Sequence, residues 1–313
     1  MAQKIVPNLW FNHNADEAGG FYSEVLPKTG ARVSARYPDD VPDWQADFAG
    51  DTLVVDLDVD GYRIALINAG DEFRPNPSIS FMLTFDPLAF DDDVEAARRA
   101  LDETWAGLAT EGRVFMELDE YPFSRHYGWV EDRFGVSWQL VLAEPEREPR
   151  PFVIPQLMFS GPVQGKAQEA AEFYVSLFDD AHLGFIAEYT EPTGPAAVED
   201  VMFGEFQLAG QPFSMRDSAA EQVYAFDCGV SLEVRCADQA EIDRLWEALS
   251  AVPEAEQCGW LKDRYGLSWQ IVPSRMDEML ASGTAEEVAR VTQAFLPMKK
   301  LDLGELERAY AGS

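Results

Sequence analysis

The stretch Gly128-Trp129-Val130-Glu131-Asp132-Arg133-Phe134-Gly135-Val136-Ser137-Trp138-Gln139-Leu140-Val141 recurs as Gly259-Trp260-Leu261-Lys262-Asp263-Arg264-Tyr265-Gly266-Leu267-Ser268-Trp269-Gln270-Ile271-Val272. Every difference is conservative except Glu131 for Lys262. A second echo lies upstream. Val6-Pro7-Asn8-Leu9-Trp10-Phe11, leading to Glu17-Ala18-Gly19-Gly20-Phe21-Tyr22, matches Ile154-Pro155-Gln156-Leu157-Met158-Phe159, leading to Glu169-Ala170-Ala171-Glu172-Phe173-Tyr174. Repetition at this spacing means two copies of one domain joined head to tail, expected over residues 1–144 and 152–313. Ala143–Pro151, with its charges and three prolines, reads as the linker.

Each copy divides again. Val6–Phe11 is a short apolar run. In Ala15–Leu26 the residues Ala15, Ala18, Phe21, Tyr22, Val25 and Leu26 fall at helical spacing. Asn14 stands where an N-cap is expected, with Glu17 at the capping-box position. Strand patterns follow at Ala31–Tyr37, Thr52–Asp58 and Tyr62–Ile67, the last two joined by the tight-turn pair Asp60-Gly61. The same βαβββ order restarts at Ser78 and runs to Leu142, and the second copy repeats it through Ile154–Val272. A helical tail, Met276–Ala281, Ala285–Phe295 and Leu303–Ala309, has no counterpart in the first copy. The fold class predicted is α+β, built from paired βαβββ modules with a C-terminal helical tail.

The 313 residues suffice for two hydrophobic cores of about 150 residues each. At 47% hydrophobic and 26% charged, the composition is that of an ordinary globular protein. No run of about 18 apolar residues occurs and no leader is evident, so the expected location is the cytoplasm. The formal charge of −32 argues against nucleic-acid or anionic-membrane partners, because it repels phosphate and no basic cluster offsets it locally. Cys228, Cys236 and Cys258 lack paired metal-type spacing and read as reduced, small core residues.

These residues resemble the PhnB-like branch of the vicinal oxygen chelate superfamily, the glyoxalase and bleomycin-resistance fold, often labelled "3-demethylubiquinone-9 3-methyltransferase" domains. The resemblance rests on the Leu-Trp-Phe strand followed by Phe21-Tyr22 and on Tyr121-Pro122-Phe123-Ser124 before Tyr127-Gly128-Trp129. Both Asp-Arg-aromatic-Gly-x-Ser-Trp-Gln segments and the Lys299-Lys300-Leu301-Asp302 tail belong to it as well. It implies that paired βαβββ units curl into a cup that holds a ligand. It also implies metal-ligand positions near Pro7 or Asn8, Ser78 or Ser80, and Gln139, with Pro155 or Gln156, Gly229 or Ser231, and Gln270 in the second copy. Amides and hydroxyls bind iron, nickel or zinc poorly, so no metal and no cofactor are expected. The methyltransferase label meets a physical objection. The nucleoside cradle of a doubly wound methyltransferase needs a Gly-rich turn after the first strand and an acidic residue ending the second, and neither occurs here.

Alternation along the last strand of the first copy puts Ser137, Gln139 and Val141 on one face and Trp138 and Leu140 on the other. The candidate ligand-binding residues are therefore Asn8, Trp10, Glu117, Trp129, Ser137, Gln139, Gln156, Trp260, Ser268 and Gln270. The glutamines would hydrogen-bond a ligand and the tryptophans wall it in. The competing reading has the glutamines satisfying internal groups and the tryptophans filling the core. His126 is the histidine placed to reach a pocket, and Glu117 reads as an inward carboxylate. Asp132 and Asp263 read as turn-stabilising and Arg133 and Arg264 as solvated. No catalytic nucleophile with a base is visible. The reading reached is a small-molecule binding protein with a pocket in each half, the halves packed as an intramolecular pseudo-dimer, and the first half carrying the more specific site. The alternative is an enzyme of lyase, dioxygenase or isomerase type acting on a small oxygenated substrate.

Overall fold

A computed structural model describes residues 3–39, 41, 43–144 and 150–313. The first unit comprises β1 (Ile5–Phe11), α1 (Ala15–Val25), β2 (Thr29–Arg36), β3 (Thr52–Val59) and β4 (Tyr62–Asn68). The second comprises β5 (Ile79–Phe85), α2 (Val94–Ala109), β6 (Arg113–Tyr121), β7 (Ser124–Glu131) and β8 (Ser137–Leu142). The third comprises β9 (Val153–Phe159), α3 (Ala167–Val175), β10 (His182–Glu188), β11 (Val201–Leu208) and β12 (Gln211–Asp217). The fourth is one strand short, with β13 (Val230–Cys236), α4 (Gln239–Leu249), β14 (Trp260–Lys262) and β15 (Ser268–Pro273). The tail forms α5 (Ser274–Ser282), α6 (Ala285–Phe295) and α7 (Leu303–Ala311). Part of the expected linker, residues 145–149, lies outside the described residues.

Alternation decides which face of each strand is dry. On β1, Ile5, Leu9 and Phe11 enter the main core with Tyr22 and Ala18 of α1, while Asn8 and Trp10 point the other way. The Asp60-Gly61 turn forms with both residues at positive φ, 51° and 85°, as a two-residue hairpin requires. Gly128 is needed for a packing reason, since a Cβ there would lie 2.5 Å from the Trp105 ring of α2. One local expectation is corrected. Asn14 makes no side-chain cap to α1; the Ala15 N–H donates instead to Oδ1 of Asn68, at 3.0 Å, from the end of β4.

The sheets do not follow the two copies. One has the order β14-β15-β13-β1-β4-β3-β2 and joins units one and four; the other, β10-β11-β12-β9-β5-β8-β7-β6, joins units two and three. The joints are equivalent antiparallel pairs, β1 with β13 and β5 with β9, in which Asn8 faces Ser231 and Ser80 faces Gln156. Units of one copy meet through their helices. The Tyr22 hydroxyl of α1 donates to Asp132 of unit two at 2.8 Å, and the Tyr174 hydroxyl of α3 donates to Asp263 of unit four at 2.7 Å. The expected arrangement of one pocket per copy is thus replaced by two cups that each draw on both copies. Among the described residues, no helix is long and apolar enough to cross a membrane.

Candidate functional site

The cup of units two and three curls strongly. The guanidinium carbon of Arg216, on β12, lies 4.4 Å from the centre of the Trp129 ring on β7, although three strands separate these two in the sheet order. On the floor, the Gln139 amide donates to the Ser80 hydroxyl at 3.0 Å and to Gln156 Oε1 at 2.7 Å, while Gln139 Oε1 accepts from the Tyr127 hydroxyl at 2.6 Å. The Gln156 amide goes on to Ser214 Oγ and Met82 Sδ, at 3.3 and 3.4 Å. Trp129 Nε1 donates to Ser137 Oγ at 2.8 Å, which orients the indole as a wall. Tyr127, Trp129 and Met158 are buried together, with Phe115 and Tyr121 against them. At the tip of the β6–β7 hairpin, Phe123 is exposed, stacked on Tyr121 and edge-on to Tyr127. An apolar, aromatic interior with a few convergent polar groups has the composition of a small-molecule site.

The cup of units one and four is built differently. Trp10 and Trp260 meet edge to face at 6.1 Å, and Trp10 also packs on Phe73 at 5.2 Å. Gln270 donates to Ser231 Oγ at 3.0 Å, and Asn8 turns back to the Val6 carbonyl. Ser268 lies 3.5 Å from Cys228 Sγ. Deeper in, Glu233 pairs with Arg235 at 3.1 Å, Arg63 with Asp56 at 2.7 Å, and Asp277 of the tail helix α5 reaches both arginines. Burial pushes the Glu233 carboxyl up to about 7, helped by Asp277 and opposed by Arg63. The C-terminal tail therefore stops one end of this cup with an ion-pair network.

Of the residues singled out in the sequence, Trp129, Ser137, Gln139 and Gln156 come together in one cup, and Asn8, Trp10, Trp260, Ser268 and Gln270 in the other. The proposed grouping of Asn8 with Gln139 is corrected, because their strands belong to different sheets. Glu117 is exposed on the edge strand β6, not directed inward. His126 faces the helix side of β7, its Nε2 2.6 Å from Asp102 of α2, and so it turns away from the cup. Arg133 lies over Phe21 and Phe134 and pairs with Glu17. The three cysteines are free, and Cys236 is buried. Sequence reasoning passed over Arg216 and Tyr127. The usable signal for Arg216 was strand alternation, which puts it with Ser214 on the face opposite Phe213 and Met215.

The profile of the 3-demethylubiquinone-9 3-methyltransferase family matches residues 3–141 and 151–272, most of the chain. The chain belongs to that family. Among solved structures, this family member is similar to the PhnB protein of Bacillus cereus. The identity is 29%, over 45% of this chain and 100% of that one, with a TM-score of 0.38. Glyoxalase I from Zea mays is similar in fold at 13% identity, over 88% of this chain and 92% of that one, with a TM-score of 0.50. No curated protein matches the chain. The family member thus has the vicinal oxygen chelate fold that the resemblance implied.

The metal implied by that fold does not fit these cups. The positions that would hold it carry Ser80, Gln139 and Gln156 in one cup and Asn8, Ser231 and Gln270 in the other, all amides and hydroxyls already engaged in hydrogen bonds. Among the described residues no cluster of three or more His, Cys, Asp or Glu could hold a metal ion. A separate cleft of about 320 Å³, lined by His13, Asp16, Arg36, Asp51, Thr52 and Asn68, opens on the surface outside both cups. It is almost wholly polar, and His13 is already paired with Asp51 at 3.0 Å, so the aromatic cups are the stronger candidates.

The hydrogen bonds of Gln139 make Gln139→Leu costly to folding. The change strands the Tyr127 hydroxyl and the Gln156 carbonyl in a buried site. A loss of about 1–3 kcal/mol is expected. Gln270→Leu, which breaks one bond to a serine hydroxyl, should cost less. Urea unfolding of both variants measures the difference; equal costs would contradict this account of the floor.

Proposed function

We propose that this protein binds a small organic molecule in the cup of units two and three, without a metal and without transferring a methyl group. The observation that carries the reading is the convergence of the Tyr127, Gln139 and Gln156 hydrogen-bonded floor with the Trp129 wall beneath an aromatic rim. The floor groups are neutral, so they orient and select a ligand but offer no general acid or base near neutral pH. The cup of units one and four, stopped by Asp277 and the paired arginines, serves as scaffold. Its Glu233 carboxyl, pushed up to about 7, supports the enzyme reading. That carboxyl is held by Arg235 and covered by α5, which favours the binding reading.

Against methyl transfer stands the sheet order, in which neither sheet is the parallel doubly wound arrangement that cradles a nucleoside cofactor. The test is a tryptophan-fluorescence screen of small molecules on protein treated with chelator, followed by calorimetry and elemental analysis. Binding should survive chelation, metal content should be far below one per chain, and Gln139→Leu should weaken binding more than Gln270→Leu. Stoichiometric metal whose removal abolishes binding would overturn the metal-free reading. Equal losses from the two substitutions would move the site out of this cup.

A further inference from the structure

Arg216 stands out from the other partly buried arginines, each of which has a carboxylate or backbone carbonyl partner. In a chain with 56 acidic and 24 basic residues a carboxylate is seldom far away. Arg63, Arg150 and Arg235 each have one, in Asp56, Glu205 and Glu233 respectively. Arg216 forms no ion pair among the described residues. Its one hydrogen bond goes to Met158 Sδ at 3.4 Å, its Nε is buried with no partner, and one face is covered by the Trp129 indole. A partly buried guanidinium whose Nε is shut off from water normally needs an anion to offset its desolvation, and a thioether is a weak acceptor.

The fold itself does not require a cation there. In the pseudo-symmetric cup, β4 pairs with β1 as β12 pairs with β9, so Ile67 opposite Trp10 occupies the place of Arg216 opposite Met158. One copy of the scaffold builds this position from an apolar side chain, the other from an unpaired cation beside the Tyr127–Gln139 floor.

Resting on the reading of this cup as the ligand site, we infer that the ligand is a small aromatic carboxylate. Its acid group takes the free edge of Arg216 and its ring lies among Trp129, Tyr127 and Met158. A carboxylate matches the fork of guanidinium N–H donors and supplies the missing counter-charge, while the indole already occupies the face of the cation.

The test uses the whole protein with two probes of one shape, 1-naphthoate and the uncharged 1-naphthamide, titrated by calorimetry. Wild type should bind the carboxylate about ten- to a hundredfold more tightly than the amide. Arg216→Met should lose that preference while keeping the amide affinity, and Arg216→Lys should fall between. Because Arg216→Met removes an unpaired, partly buried charge, its thermal midpoint without ligand should match or exceed that of wild type. A lower midpoint would instead assign Arg216 a structural role and overturn the inference. Equal wild-type affinities for the two probes, both weakened by Trp129→Ala, would overturn the carboxylate assignment yet leave the cup as a binding site. If neither probe binds, or if Trp129→Ala changes neither affinity, both readings fall.

Discussion

Replacing Asp132 by alanine should destabilise the protein by about 3–5 kcal/mol, enough to leave much of it unfolded under mild conditions. The side chain accepts four hydrogen bonds. Oδ1 takes the Phe134 and Val136 N–H groups at 2.8 and 3.1 Å, and Oδ2 takes the Tyr22 hydroxyl and the Trp138 indole, both at 2.8 Å. Burial pushes the carboxyl up to about 6 against the pull of these donors. Alanine strands all four donors in a dry site. The effect reaches beyond the turn, because the Tyr22 bond ties α1 of unit one to unit two. Tyr22→Phe, which removes one partner and leaves three, should cost only about 1 kcal/mol. Guanidinium unfolding of both variants gives the comparison, and a loss below about 1 kcal/mol for Asp132→Ala would remove Asp132 as the link between units. Asp263 repeats the arrangement with Tyr174, Trp269, Tyr265 and Leu267, so Asp263→Ala should behave alike.

Cutting the chain into its two sequence copies should have a still larger effect. Residues 1–144 alone contain β1 and β5, each of which pairs at one edge with a strand of the other copy, β13 and β9. As a monomer this half would bare two edge strands and the open sides of both cups. It should therefore be unfolded at low concentration. The two joints are equivalent, so two identical halves can satisfy each other by pairing β1 of one with β5 of the next. A folded homodimer is the expected form at higher concentration, with stability that rises with protein concentration. Sedimentation and circular dichroism across a dilution series would show this. A half that unfolds cooperatively as a monomer, at a midpoint independent of concentration, would contradict it.

How much was legible beforehand follows from where each signal is stored. The duplication, the βαβββ order, the hairpin at Asp60-Gly61 and the α+β class are written in local periodicity and turn chemistry, so sequence alone determined them. It also placed Gln139 opposite Trp138, because alternation along a strand needs no knowledge of neighbours. Partner choice was not stored locally. β1, β5, β9 and β13 are equivalent strands, and nothing in their side chains says whether unit two closes with unit one or with unit three. Only the tertiary structure decided that Gln139 meets Gln156 while Asn8 meets Ser231. The same holds for the N-terminus of α1, served by Asn68 from a distant strand end in place of its neighbour Asn14, and for His126, which turned to Asp102 on α2. Arg216 shows the limit most clearly. A lone arginine in a strand carries no motif, and its significance lies in the carboxylate it lacks, which becomes visible only when the sheet curls and sets it over Trp129.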